Sequence, residues 1–129
     1  MSKVLDADNV RYTKRHEWVM IEDDVVTVGI TDYAQREIPG ISFIDMPAEE
    51  VEINAGEEAA TVESQNDSLS VLSPLDGTVT EVNRLLEDSP DLINSDPYGD
   101  GWLFRLEVTD VSAWGDLLTA EEYEEYIGG

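Results

Sequence analysis

The side chains able to do chemistry are unevenly stocked in this sequence. There is one histidine, His16, no cysteine, seven basic residues and thirty acidic ones. Without cysteine there are no disulfides, thiol nucleophiles or thiolate metal sites. One histidine cannot furnish a His-rich metal site. A Ser-His-Asp triad would need its base at a strand end, and no nucleophile elbow lies nearby. A structural role for His16 is therefore expected. Thirty acids give many chance carboxylate pairs, so no single pair marks a glycosidase or a Mg²⁺ site. What remains is a displayed tip. In "ATVESQNDSLSVLSP" (Ala60 to Pro74), two alternating apolar runs flank the polar Gln65-Asn66-Asp67. A side-chain amide is neither a nucleophile nor a base, so Asn66 makes no bonds of its own.

The elements that must hold this tip read mostly as strands. Glu17–Glu22 and Val25–Ile30 form a predicted hairpin around Asp23-Asp24. Ile41–Pro47 is β-rich, and Glu57–Ser64 and Ser68–Pro74 flank the tip. Gly77–Leu86 follows an Asp76-Gly77 turn, and Trp102–Val108 alternates again. Short strands separated by Gly, Pro and Asp suggest a sandwich or barrel. Helices are few. Thr31–Ile38 has a cap at Thr31 or Asp32 and stops at Pro39-Gly40. A C-terminal helix at about 118–127 opens with a capping box from Thr119 to Glu122, and Tyr123, Tyr126 and Ile127 form its expected buried stripe. A turn of helix capped by Ser112 precedes it. Leu86–Gly101 reads as a long polar connection, either functional or well packed.

Composition bounds the setting. At 129 residues and 41% hydrophobic, the chain suits one domain, 1–129, with one core. The formal net charge of −23 repels nucleic acid and anionic lipid and favours basic partner surfaces, although simple solubility or a salty cytoplasm explains it equally well. No apolar run is long enough to span a bilayer, and the start of the chain has no signal core, so a cytoplasmic location and a monomer are expected. The three tryptophans are not interleaved with basic residues, which speaks against a single-strand platform.

Four segments carry a more specific signal. "YTKRHEWV" (Tyr12–Val19), "VTVGITDYAQ" (Val26–Gln35), "VESQNDSLSVLSPLDGTVTEVN" (Val62–Asn83) and "LINSDPYGDGWLFRL" (Leu92–Leu106) occur in the order of the glycine cleavage system H protein family. The chain resembles that family from about Tyr12 to the C-terminal helix. The resemblance implies a mainly β, lipoyl/biotinyl-type fold: a flattened β-barrel or sandwich with short helices at its ends. It also implies a carrier rather than an enzyme. Family members bear lipoate in amide linkage on a hairpin-tip lysine. The arm ferries an aminomethyl group from glycine decarboxylase to aminomethyltransferase and is reoxidised by dihydrolipoyl dehydrogenase. These three, and the lipoate-attachment enzymes, are the implied partners.

The family pattern around that lysine is E-S-V-K-A. Glu63 and Ser64 match its first two positions, Gln65 stands for the valine, Asn66 for the lysine and Asp67 for the alanine. Ser73-Pro74 and Gly77 then match without a gap. Asn66 cannot be acylated by lipoate, so no cofactor is expected on this chain. Lys3 and Lys14 are the other lysines, and neither is expected at a hairpin tip. A second departure, Pro39-Gly40 where the family usually has Gly-Asp, lies where the arm packs, together with Glu17 of the H-E-W. The expected function is a binding, scaffold or regulatory module docking through Glu17, Glu63, Ser64, Gln65 and Asp67. The alternative is a true H protein whose lysine has been lost in this chain. An independent hydrolase has little support.

Overall fold

The computed structural model describes residues 9–128. Among these residues nine strands fall into two antiparallel sheets. The larger has the order β1 (Val10–Tyr12), β2 (Glu17–Glu22), β3 (Val25–Ile30), β9 (Phe104–Val108), β8 (Gly77–Val82) and β5 (Glu52–Ile53). The smaller has the order β4 (Ile41–Asp45), β6 (Glu58–Ser64) and β7 (Ser68–Leu72). Period-two alternation explains the layering, because it gives each strand one apolar face to bury. Val19, Val26, Val28, Val79 and Leu106 of the large sheet join Ala60, Val62 and Val71 of the small one in a common core. The sheets do not close into a barrel, so of the two expected forms the sandwich is realised.

The register follows from that alternation. Val19 faces Val28, and Val26 and Val79 both face Leu106 across neighbouring ladders. Trp18 pairs with Gly29, and the absence of a side chain there is required: a Cβ on Gly29 would fall 2.6 Å from the Trp18 indole. Trp18 therefore lies flat over Gly29 in a second cluster with Val10, Tyr12 and Tyr123, all buried. Its indole N–H donates to the Pro97 carbonyl at 2.9 Å.

The described residues also form four short α-helices: α1 (Asp32–Arg36), α2 (Leu85–Asp88), α3 (Leu92–Ser95) and α4 (Ala120–Tyr126). The Thr119 capping box of α4 is formed, and Thr31 caps α1 by accepting the Ala34 N–H. None of these helices is long and apolar enough to cross a membrane.

Several expectations need correction. The strand beginning at Gly77 ends at Val82, and the connection read as irregular contains α2 and α3. Each of those helices buries one apolar side chain, Leu86 and Ile93 respectively, so the segment is well packed. Asp76-Gly77 is not a hairpin turn. β7 pairs with β6 and β8 with β9 and β5, so the step carries the chain from one sheet to the other. Gly77 is still needed, because a Cβ would meet the Glu107 carbonyl at 2.6 Å. The helical turn Val111–Asp116 is capped by Asp110, whose carboxylate accepts the Ser112 N–H; Ser112 is not the cap. Tyr126 is 50% exposed and leaves the buried stripe of α4 to Tyr123 and the partly buried Ile127.

Candidate functional site

The tip is the turn between β6 and β7. Glu63 pairs with Ser68, and the chain closes just beyond them. The Ser64 N–H donates to the Asp67 carbonyl at 2.8 Å, and the Asp67 N–H donates back to Ser64 Oγ at 3.1 Å. Serine at the first position of such a turn supplies that second bond, which locks the tip. Gln65 and Asn66 are the central residues, both exposed, and Asp67 beside them is exposed too. Glu63 is half-buried between Phe43 and Ser68 on the neighbouring strands, and Ser64 lies opposite Ile41. Five of the six predicted site residues thus fall together on one hairpin end.

Glu17 stands apart. It is 3% exposed and does not line the surface at the tip. One carboxylate oxygen accepts the Leu72 N–H at 2.9 Å and the other accepts the Thr13 hydroxyl at 2.9 Å. Glu17 thereby satisfies a backbone donor of β7, an edge strand of the small sheet, from the large sheet. Unsatisfied edge donors are costly when buried, which accounts for a buried carboxylate here.

Burial raises the Glu17 carboxyl above its ordinary range, and the Leu72 N–H, the Thr13 hydroxyl and the Arg15 charge oppose the rise. The folded chain therefore keeps this proton to higher pH than the unfolded chain does. The group's contribution to stability is complete below the ordinary value of 4.5 and is lost as pH rises through the raised value. Glu17→Gln keeps an acceptor for Leu72 and has no charge to bury. Urea unfolding across a pH series is expected to show the variant gaining on the parent as pH climbs from 4.5 toward neutrality. A difference independent of pH would contradict a carboxylate buried at this position.

The base of the tip opens onto a cleft of about 140 Å³. Asp67, Ser68 and Leu69 form one wall, Arg15 and His16 of the β1–β2 turn another, and Ala34, Glu37 and Ile38 the floor along α1. Ala34, Ile38 and Leu69 give the cleft its apolar part, and Arg15, Glu37 and Asp67 are its charged residues. Pro39 and Gly40 do not line it.

His16 is anchored rather than free. Its φ of 70° is a left-handed conformation, uncommon outside glycine. Its Nδ1 lies 2.8 Å from the Tyr123 hydroxyl, which is also 2.7 Å from the Thr31 hydroxyl. The ring packs on Tyr33 at 4.5 Å between centroids. Burial lowers its pKa, with Glu37 pulling the other way. A neutral, clamped imidazole fits the structural role expected of it.

Lys14 requires a correction. It is exposed in the turn joining the antiparallel pair β1 and β2, where the His16 N–H donates to the Thr13 carbonyl at 3.1 Å. Lys14 is therefore on a hairpin end after all, next to Arg15 on the rim of the same cleft. Lys3 falls outside the described residues. Sequence reasoning singled out the H-E-W stretch but did not bring Arg15 and His16 to the tip, because that meeting depends on how the two sheets stack. Among the described residues no group of three His, Cys, Asp or Glu side chains is placed to hold a metal.

A family model described as Glycine cleavage H-protein matches residues 10–128. The chain belongs to that family. It is similar to the glycine cleavage system H protein of Coprothermobacter proteolyticus, 48% identical over 127 residues, covering 98% of each chain. The Thermotoga maritima glycine cleavage system H protein is 45% identical over 116 residues, covering 90% of this chain and 94% of its own. The crystal structure of a glycine cleavage system H protein from Mycobacterium marinum superposes with a TM-score of 0.86 at 36% identity, covering 95% of this chain and 99% of that one. The H-protein fold expected from the sequence is thus present in its sandwich form. H proteins are carriers and not catalysts, which agrees with the lack of catalytic chemistry in the residues.

The family cofactor is lipoate, held as an amide, and an amide of that kind needs an amine. The tip of this chain carries Gln65, Asn66 and Asp67, and no lysine lies between residues 15 and 129. The tip residues do not fit the group.

Proposed function

We propose that this chain is an H-protein homologue that docks with the enzymes of glycine cleavage, or with those that attach lipoate, without carrying the arm itself. It acts as a binding, scaffold or regulatory module, and competition with a lysine-bearing H protein is its most concrete form. The observation that supports this reading is the tip. A locked two-residue turn presents Asn66 where the family pattern places its lysine, and an amide nitrogen is not an acyl acceptor. Glu63, Ser64, Gln65 and Asp67 are the docking residues of this reading, and Glu17 supports them from within.

A second reading is favoured by the relatives. Proteins 45–48% identical along almost the whole chain are named glycine cleavage system H protein, which supports a working aminomethyl shuttle whose lysine has been lost in this chain. The changes at Gln65 and Asp67 beside Asn66 weigh on the other side, since an isolated loss would leave the neighbours as they were. Intact-mass measurement after incubation with lipoate ligase, ATP and lipoate tests the missing acceptor common to both readings, and rapid uptake by Asn66→Lys alone would favour the second. The expected result is an unchanged mass, and the gain of one lipoyl group would overturn the proposal. A Lys14→Arg control is included because Lys14 shares a hairpin end with the cleft.

A further inference from the structure

We infer that the groove between β8 and α2 is a docking surface for a basic protein segment that inserts an apolar side chain. The inference does not rest on the proposed function, because the groove is formed by other residues than the tip. It is an open depression of about 710 Å³ whose apolar surface comes from Val82, Leu85 and Trp102. Leu85 is 55% exposed, whereas Leu86 beside it is 1% exposed. A single exposed leucine is ordinary, but one sharing a groove with a half-buried valine and a half-buried tryptophan forms a patch.

The charges around it choose the occupant. Arg84 donates to Glu49 at 2.8 Å, and Arg105 donates to Glu81 at 2.7 Å while lying 4.1 Å over the Trp102 ring. Both cations at the groove are thus already engaged. Asp88, which also lines it, has no cationic partner among the described residues. A second copy of the chain is the wrong occupant, because each copy brings a net charge of −23. A drug-sized ligand is the wrong occupant too, because such ligands are held in enclosed pockets that cover most of their surface. A basic segment matches the field, and a tryptophan in an apolar groove is the kind of residue on which binding energy concentrates.

The test uses the full chain and two synthetic probes of equal length, an amphipathic peptide of lysine and leucine and a peptide with serine replacing every leucine. Binding is read by calorimetry and by tryptophan fluorescence. The leucine peptide is expected to bind about tenfold more tightly than the serine peptide. Leu85→Ser is expected to weaken it about tenfold, and Trp102→Phe to remove most of the fluorescence response. Leu85 is exposed, so Leu85→Ser should melt with the parent, and this is checked first. Equal binding of the two peptides, no binding of either, or an affinity untouched by Leu85→Ser would overturn the inference. Sedimentation of the chain alone covers the rival occupant: self-association abolished by Leu85→Ser would assign the groove to a second copy and overturn it as well.

Discussion

Asn66→Lys is expected to turn the chain from a non-acceptor into a slow acceptor of lipoate. The substitution places an amine at the centre of a turn already locked by the Ser64 and Asp67 backbone bonds. It needs no rearrangement, because residue 66 is exposed and has no positive φ to relieve. Modification remains slow because Asp67 places a carboxylate beside the new amine and favours its protonated, non-nucleophilic form. Removing that charge and restoring the family's neighbours, in Asn66→Lys with Gln65→Val and Asp67→Ala, is expected to speed uptake by about tenfold, the effect of a change of roughly 1.4 kcal/mol in the barrier. The time course of intact mass with lipoate ligase measures both variants beside a lysine-bearing H protein. If the triple variant takes no lipoate while the control does, the surface around the tip has diverged and the docking residues assigned here are wrong.

The second large effect is on stability. Tyr123→Ala is expected to destabilise the fold by about 3–5 kcal/mol. Tyr123 is fully buried, stacks on Tyr12 with centroids 4.8 Å apart, and has both Thr31 and His16 at its hydroxyl. Losing the ring opens the second core cluster and unfastens α4 from the β1–β2 turn. Domains of this size have roughly 5–15 kcal/mol in total, so the loss is a large fraction. Tyr123→Phe keeps the ring but removes the hydroxyl's bonds to His16 and Thr31, of which Thr31 keeps its bond from the Ala34 N–H, at about 1–2 kcal/mol. Urea unfolding measures both. The imidazole NMR signals give an independent readout, since His16 is the only histidine. Its pKa should rise toward 6.5 in Tyr123→Ala as water reaches the ring. A Tyr123→Ala variant as stable as the parent would mean that α4 does not belong to the core.

These two predictions rest on features of different legibility. The tip was readable because strand alternation is broken at one place by consecutive polar residues, and the pairing of β6 with β7 follows from that break. The hairpin of β2 and β3 was readable for the same reason. β1 and β5 were not, because three and two residues are too few to show a period. α2 and α3 were missed because a single turn burying one leucine or one isoleucine leaves no helical repeat. Lys14 was misplaced because the Thr13–His16 turn contains no glycine or asparagine, and the left-handed residue is a histidine. The cleft was hidden for a deeper reason. Arg15 and His16, Ala34 and Ile38, and Asp67 to Leu69 are far apart in sequence, and only the stacking of the two sheets brings them together. The family resemblance supplied the fold and the significance of residue 66, which no local pattern carried.

The claim that the chain docks like an H protein without doing an H protein's work is tested most directly in a reconstituted glycine cleavage reaction. Glycine decarboxylase, aminomethyltransferase, dihydrolipoyl dehydrogenase and a lipoylated H protein are combined with tetrahydrofolate and an electron acceptor for the dehydrogenase, and release of CO₂ from carboxyl-labelled glycine is followed. The chain in place of the H protein is expected to support no turnover. The chain in excess over the H protein is expected to slow turnover, and added H protein should reverse the inhibition. Turnover sustained by this chain alone, or a rate indifferent to any excess of it, would contradict the account.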